Sequence, residues 1–254
     1  MPVSRRSFTK NAASVIAALS LNSLTSNSQP NNAAKIKVVC VGGHPDDPES
    51  GCGGVLAKLT AAGNDLTIIY LTRGEAGISG VSHADAAATR TKEAEAACKI
   101  LHAKPVFAGQ IDGDTIINNE WIKKIHELIL AEKPDIVFTH WPVDSHKDHQ
   151  AASLLTIQSW IRSGKSFDLY FFEVCAGSQT IGFRPDTYID ITSTLEQKHK
   201  AVYCHTSQDP DGIYNSPDCN HAMMEQFRGK EMNVKAAEAF VKMQGTGAPV
   251  LPGR

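Results

Sequence analysis

Short apolar runs recur along this chain, each followed by a stretch with helical spacing, and that alternation constrains the fold more than any other feature. The runs are Ile36–Val41, Leu66–Leu71, Pro105–Ala108, Ile136–Thr139, Leu169–Val174 and Tyr188–Ile191. They are brief and rich in Val, Ile and Phe, as strands buried on both faces are. Between them, helical spacing covers Gly53–Ala62, which ends at Gly63, then Asp85–Leu101, Glu120–Ala131 and His149–Ile161. Pro134 breaks the third of these before the next strand. Two further helical stretches, Leu195–Tyr203 and Val234–Met243, are expected near the end, and Asp209–His221 is a turn-rich lid or surface loop. Strand–helix alternation of this kind predicts an α/β fold, Rossmann-like and three-layered (α/β/α), with a mostly parallel sheet.

The 254 residues suit one such domain with an N-terminal extension, and 42% apolar residues can fill a large core. A formal net charge of -2 without a basic patch argues against a nucleic-acid partner. The six cysteines form no CxxC pair; Cys40 and Cys98 sit in apolar contexts as core thiols, and Cys204 and Cys219 are the candidate pair for an oxidising compartment. Ser4-Arg5-Arg6-Ser7-Phe8-Thr9-Lys10 resembles a twin-arginine export signal. The apolar stretch after it, Ala12–Leu24, is too short and too polar for a transmembrane anchor. Residues 1–32 are therefore expected to be export signal and linker, residues 33–254 the domain, and the bacterial periplasm the destination. A homo-oligomer is compatible with this reading.

Parallel α/β sheets place their chemistry at the carboxyl ends of their strands. Two of the runs end in clusters of histidine and aspartate: His44-Pro45-Asp46-Asp47 after the first, and His140 to His149 (H-W-P-V-D-S-H-K-D-H) after Ile136–Thr139. An isolated Asp-Asp pair is usually a turn or a helix cap. Flanked by a histidine and matched by a second cluster, it reads instead as half of a metal site. His44, Asp47 and His149 supply two imidazoles and a carboxylate, and three protein ligands with a fourth position left open is the pattern of a catalytic zinc site. Another divalent ion suits the same ligands. Asp46, beside the ion, can act as general base on the attacking water. His146, if protonated, can stabilise an oxyanion or donate to a leaving group, with Asp148 or Asp144 raising its pKa by hydrogen bonding. His140 reads as a packed or supporting histidine. The turn after the first strand lacks G-x-G-x-x-G and carries carboxylates where a pyrophosphate would sit, which excludes a dinucleotide site.

H-P-D-D-P-E-S-G-C-G-G (His44–Gly54) and D-S-H-K-D-H (Asp144–His149) together resemble the PIG-L (LmbE-like) zinc-dependent N-deacetylases. L-T-R-G-E-A-G (Leu71–Gly77), A-T-R-T-K-E-A-E-A-A (Ala88–Ala97), H-T-S-Q (His205–Gln208) and A-E-A-F (Ala237–Phe240) extend the resemblance over most of the chain. It implies zinc on His44, Asp47 and His149, Asp46 as base, and His146 polarising the tetrahedral intermediate. It also implies substrate contacts from Arg90 and Asp112, with Glu75 lining the same pocket. From the residues alone, Arg90 reads as an exposed ion-pair partner on its helix and Asp112 as the start of an Asp-Gly turn, while His205 packs or caps a helix end. Lys147 stands where related sequences often have proline, and no inferred catalytic side chain is lost. The expected activity is removal of an N-acetyl group from a small-molecule amino sugar or its conjugate. The alternatives are a metal amidase for another small amide and a non-catalytic carbohydrate-binding protein of the same fold.

Overall fold

The computed structural model describes residues 35–217 and 219–244; the expected export signal and linker lie outside them. Seven strands form one sheet in the order β3-β2-β1-β4-β5-β7-β6. They are β1 (Lys37–Gly42), β2 (Asp65–Tyr70), β3 (Lys104–Phe107), β4 (Ile136–His140), β5 (Asp168–Phe172), β6 (Thr187–Asp190) and β7 (Ala237–Lys242). β1 to β5 pair in parallel, while β7 runs antiparallel to both β5 and β6.

The helices are α1 (Asp47–Ala61), α2 (His83–Leu101), α3 (Asn119–Ala131), α4 (Lys147–Arg162), α5 (Leu195–Val202), α6 (Pro210–Asn215) and α7 (His221–Met232). The pleat of β1 sends Val38 and Cys40 to one face, into a core shared with α1, α2 and α5. Val39 and Val41 point the other way, into a core shared with α3 and α4. Both faces of the central strands are thus covered, which is why they read as unbroken apolar runs, and the three-layer expectation holds. Cys40 and Cys98 are buried in the first core, as expected. Among the described residues no helix is long and apolar enough to cross a membrane.

The structure departs from the sequence reading at both ends of its helix assignments. α1 begins at Asp47, six residues before the expected Gly53, because Asp46 and Glu49 form a capping box and Pro48 sits in the first turn, where a missing N–H costs nothing. The glycines after it serve packing: a Cβ on Gly51 would overlap Phe172, and one on Gly54 would crowd Ile191. Val234–Met243, expected to be helical, is instead largely strand β7. Its alanines and glutamate have helical propensity, but Phe172 and Asp190 offer ladders on both sides, and pairing overrides propensity. α7 lies in a stretch with little apolar periodicity. Within the expected loop Asp209–His221, α6 occupies Pro210–Asn215 and α7 begins at its last residue, and a 3-10 turn (Thr206–Gln208) precedes it.

The sheet runs from β1 outward to β2 and β3 on one side and to β4 and β5 on the other. The connections therefore part between β1 and β4, opening a crevice at their carboxyl ends. The two His/Asp clusters leave the sheet at that point.

Candidate active site

Asp47 lies at the centre of the crevice. Its Oδ2 accepts from the His44 backbone N–H at 2.7 Å and lies 3.2 Å from His44 Nδ1, while its Oδ1 lies 3.2 Å from His149 Nε2. Neighbouring ligands on a tetrahedral ion with bonds of about 2.0–2.2 Å are separated by roughly 3.4 Å, and each of these two contacts has that spacing; Asp47 also offers an oxygen within 4.8 Å of nitrogens of His140 and His149. His44, His146 and His149 also offer nitrogens within 4.8 Å of one another. Behind His149, Asp144 Oδ1 faces Nδ1 at 3.2 Å and Asp144 Oδ2 accepts from Thr180 Oγ1 at 3.1 Å. A carboxylate in that position fixes the ring of a metal-binding histidine. The His/Asp cluster can hold a metal ion.

The charges support that fit. Burial opposes ionisation of Asp47, but His149 and His140 beside it hold its carboxyl well below the usual range. Burial likewise opposes charge on His149, yet Asp47 and Asp144 carry it up to about 9. His44 is also raised, against its burial, by Asp112, Asp148 and Asp47. The crevice is rich in carboxylates that call for positive charge. His140 is the supporting histidine expected: fully buried, it stacks on His149 with centroids 4.1 Å apart and accepts from Gly43 N–H at 3.0 Å. Burial and the neighbouring His149 lower its pKa to about 4.

Asp46 sits just outside the donor set and lines the cavity. Its backbone has φ 107°, a conformation that costs a non-glycine residue about 1–3 kcal/mol and recurs at functional sites. Burial, partly offset by Arg90, raises its pKa to about 6. That value suits a group that must take up and return a proton near neutrality. His146 is the N-cap of α4, with its ring 4.7 Å from the rings of both His44 and His149.

The expectation that Asp148 or Asp144 would bond to the His146 ring and raise its pKa is not met. Asp148 instead accepts from Gly113 N–H at 2.8 Å and Thr115 Oγ1 at 2.6 Å and lies 3.1 Å from His44 Nε2. Asp144 meets His146 only at its backbone N–H, at 2.8 Å. Burial and the neighbouring His44 and His149 lower the His146 pKa. Asp148 therefore ties the Gly113–Thr115 turn to His44.

Of the three residues expected at the substrate, two line the cavity. Asp112 Oδ1 lies 3.2 Å from His44 Nε2, and its Oδ2 accepts from Ala76 N–H at 3.1 Å. Arg90 is 3% exposed, not the surface partner its helix suggested; it donates to Pro45 O and, at 3.1 Å, to Asp46 Oδ2. Glu75 is not in the cavity wall: its carboxylate accepts from Arg73 and Asp112 N–H at 3.1 and 3.2 Å and braces the loop behind it.

The cavity measures about 570 Å³. Its far wall comes from Gln179, from Gln208 of the H-T-S-Q motif, from Asp209 and Ile213 of the segment expected as a lid or surface loop, and from the Cys175–Cys219 disulfide; Gln179 and Cys175 belong to no sequence pattern. That disulfide corrects the expected Cys204–Cys219 pair. Cys204 lies just past α5 with its thiol on Lys200 O, whereas Cys219, just before α7, is bonded to Cys175, three residues past β5. The segment between His205 and Cys219 is a strap across the crevice. Glu93 anchors its start, accepting from Thr206 Oγ1, Ser207 N–H and Ser207 Oγ at 2.7–2.9 Å. His205, expected to pack or cap, does pack: it is fully buried, 3.4 Å from Glu49 Oε1.

A family model described as PIG-L, GlcNAc-PI de-N-acetylase, matches residues 39–160. Diacetylchitobiose deacetylase of Thermococcus kodakarensis is 30% identical over 240 residues, covering 88% of this chain and 89% of that protein. The structure of N,N'-diacetylchitobiose deacetylase from Pyrococcus horikoshii superposes with a TM-score of 0.74 at 27% identity, covering 86% of this chain and 88% of that one. A 4-oxalmesaconate hydratase of Pseudomonas putida is 26% identical over 197 residues, 70% of this chain and 76% of that protein.

Proposed function

This chain belongs to the PIG-L (LmbE-like) family, and from that premise we propose that it is a metal-dependent N-deacetylase acting on an N-acetylated amino sugar or its conjugate. The observation that carries the proposal is the place of Asp46, a carboxylate in the cavity wall beside histidine and aspartate donors that lie within ligand spacing of one another, with its pKa raised to about 6. His44, Asp47 and His149 would hold the ion, zinc being the first choice for two imidazoles and a carboxylate. A bound divalent ion would acidify water and polarise the amide carbonyl.

The chain's own residues supply the rest. Asp46 takes a proton from the water that attacks the acyl carbon and returns it to the departing nitrogen, releasing acetate and a free amine. His146 faces the same space and donates to the oxygen that becomes negative. Its Nδ1 accepts from Asp148 N–H at 3.3 Å, which leaves Nε2–H as the donor. Asp144 keeps His149 aimed, and Asp148 does the same for His44. Asp112 and the amides of Gln179 and Gln208 offer polar contacts for sugar hydroxyls.

Export to the periplasm, proposed on the Ser4–Lys10 motif, would deliver the enzyme where cell-wall amino sugars are exposed. The hydratase relative gives a second reading, since a base that activates water could also serve the addition of water across a carbon–carbon double bond. The test is acetate release from a panel of N-acetylated amino sugars by chelated protein before and after zinc is returned. Release restored by zinc supports the deacetylase. No release from any member, together with water addition to an unsaturated tricarboxylic acid such as 4-oxalmesaconate, replaces it with the hydratase.

A further inference from the structure

Among the described residues Arg90 is the one permanent cation in the cavity wall, and such a residue is ordinarily assigned to an anionic group of the substrate. Its bonding here points elsewhere. A single nitrogen, Nη2, donates both to Pro45 O and to Asp46 Oδ2, so it grips the backbone just before Asp46 and the carboxylate of Asp46 together. On the other side of the same residue, Asp46 N–H donates to Glu49 Oε2 at 3.3 Å and Asp46 O accepts from Ser50 N–H at 2.9 Å. Glu49 is itself held, its Oε1 accepting from Tyr70 O–H at 2.5 Å with His205 3.4 Å away. Asp46 stands between these two grips with φ 107°, a backbone conformation uncommon for any residue with a Cβ.

The seat of Arg90 is built for this. The guanidinium lies against Gly74 and Gly77, and a Cβ at either position would overlap Nη1. Those glycines belong to the segment Leu71–Gly77, whose backbone thereby approaches α2 closely enough to bury the side chain. An incoming anion would find Nη2 already engaged and the Asp46 carboxylate beside it.

We infer that Arg90 is a positioning residue: with Glu49 it holds Asp46 in its left-handed backbone conformation and aims the carboxylate at the reacting centre, and it does not bind an anionic group of the substrate. The inference rests on the reading of Asp46 as the base. Its corollary is that the substrate is uncharged, or cationic, where it meets Arg90.

The test compares Arg90→Lys and Arg90→Ala with the parent, each loaded with zinc, on whichever N-acetylated sugar the parent hydrolyses fastest. We expect kcat to fall about 100-fold in Arg90→Ala, the scale of a misplaced catalytic group, with KM within about threefold and zinc content unchanged. Free guanidinium at low millimolar concentration should restore part of the Arg90→Ala rate, and Arg90→Lys should lie between. A crystal structure of Arg90→Ala should show Asp46 relaxed to negative φ. If Arg90→Ala does not fold, Gly77→Ala displaces the guanidinium while keeping its charge, and the same fall in kcat is expected. A rise in KM exceeding the fall in kcat would overturn the inference, as would Asp46 keeping its conformation without Arg90. If the parent hydrolyses no member of the panel, the deacetylase reading fails, and the Asp46 conformation still decides whether Arg90 holds it.

Discussion

α1 begins in one buried cluster of charge and is crossed midway by another, and the two are finished differently. At its start lie Asp46 and Asp47 with His44, His140, His149 and Arg90. Across its middle, Lys198 (2% exposed) pairs with Glu238 at 2.8 Å and Glu225 at 3.1 Å. Glu238 also accepts from Gly54 and Val55 N–H at 2.9 and 2.7 Å, two amides that the non-helical Cys52 leaves without helical partners. Glu225 is completed by His199 at 2.9 Å. None of these side-chain atoms is orphaned, whereas Arg90 Nε, His140 Nδ1 and both ring nitrogens of His205 are buried without a hydrogen bond around the other cluster. Burial of charge alone does not mark chemistry; unfinished bonding beside an open cavity does.

The sharpest way to break this contrast is to alter one residue in each cluster. Asp46→Asn removes the base and keeps the shape. Acetate release should fall about 10³-fold or more, while zinc content and the melting temperature stay at parent values. A loss under tenfold would remove Asp46 from the role.

Lys198→Met should do the reverse. Truncating one partner of a buried pair leaves two glutamates uncompensated and costs about 3–5 kcal/mol, a fall in melting temperature on the order of 10 °C for a domain of this size. Turnover per folded molecule should be unchanged. Adding Glu238→Gln and Glu225→Gln to Lys198→Met should recover part of the stability; no recovery would mean that packing, not charge, sets the cost.

The strap from Thr206 to Cys219 touches both clusters, with Asp209 and Ile213 facing the cavity and Tyr214 O–H 3.5 Å from Glu225. Reducing the Cys175–Cys219 bond with a dithiol, or replacing both residues with serine, frees one end of the strap. Loss of stability of about 2–4 kcal/mol is expected for the crosslink, with KM raised several-fold and kcat preserved, measured by thermal melts and steady-state rates. Parent-like KM in both forms would show that the strap does not contact substrate.

How far each cluster was legible follows from where its residues lie in the chain. His44 to Asp47 and Asp144 to His149 are consecutive segments at strand ends, so their chemistry could be seen before any fold was known. The alternation of strand and helix implies a parallel sheet with both clusters at its carboxyl edge, but that β1 and β4 are neighbours is shown by the structure. The Lys198 network draws Lys198, Glu225 and Glu238 from α5, α7 and β7, three elements with no shared motif, and Lys198 reads on sequence as one more solvated helix residue. It became invisible for the same reason that β7 was misread: both depend on what the last forty residues pack against. The disulfide was misassigned because Cys204 and Cys219 are near in sequence, while the partner that matters is carried in from β5. Asp148 and Arg90 were found as important side chains, but their roles depend on which neighbours they meet, and only the packing of the Gly113–Thr115 turn and of Gly74 and Gly77 reveals that.

The smallest effect tests whether the second cluster is truly complete. Burial would raise the Glu225 pKa, but Lys198 and His199 more than offset it and hold it below the ordinary glutamate value. A carboxyl depressed in the folded state contributes stability above its unfolded pKa, about 4.3, and loses it as the pH falls through the folded value. Glu238 is displaced the other way, burial outweighing Lys198, so its contribution is present below about pH 4.3 and lost as the pH rises through its folded value. Melting temperatures of the parent, Glu225→Gln and Glu238→Gln between about pH 3.5 and 7 separate the two, because contributions from the other cluster are common to all three and cancel in the differences. Glu225→Gln should flatten the acid limb and Glu238→Gln should steepen it. Parallel curves for the parent and Glu225→Gln would mean that Lys198 and His199 do not hold the proton off Glu225, and the two clusters would then differ in position rather than in completeness.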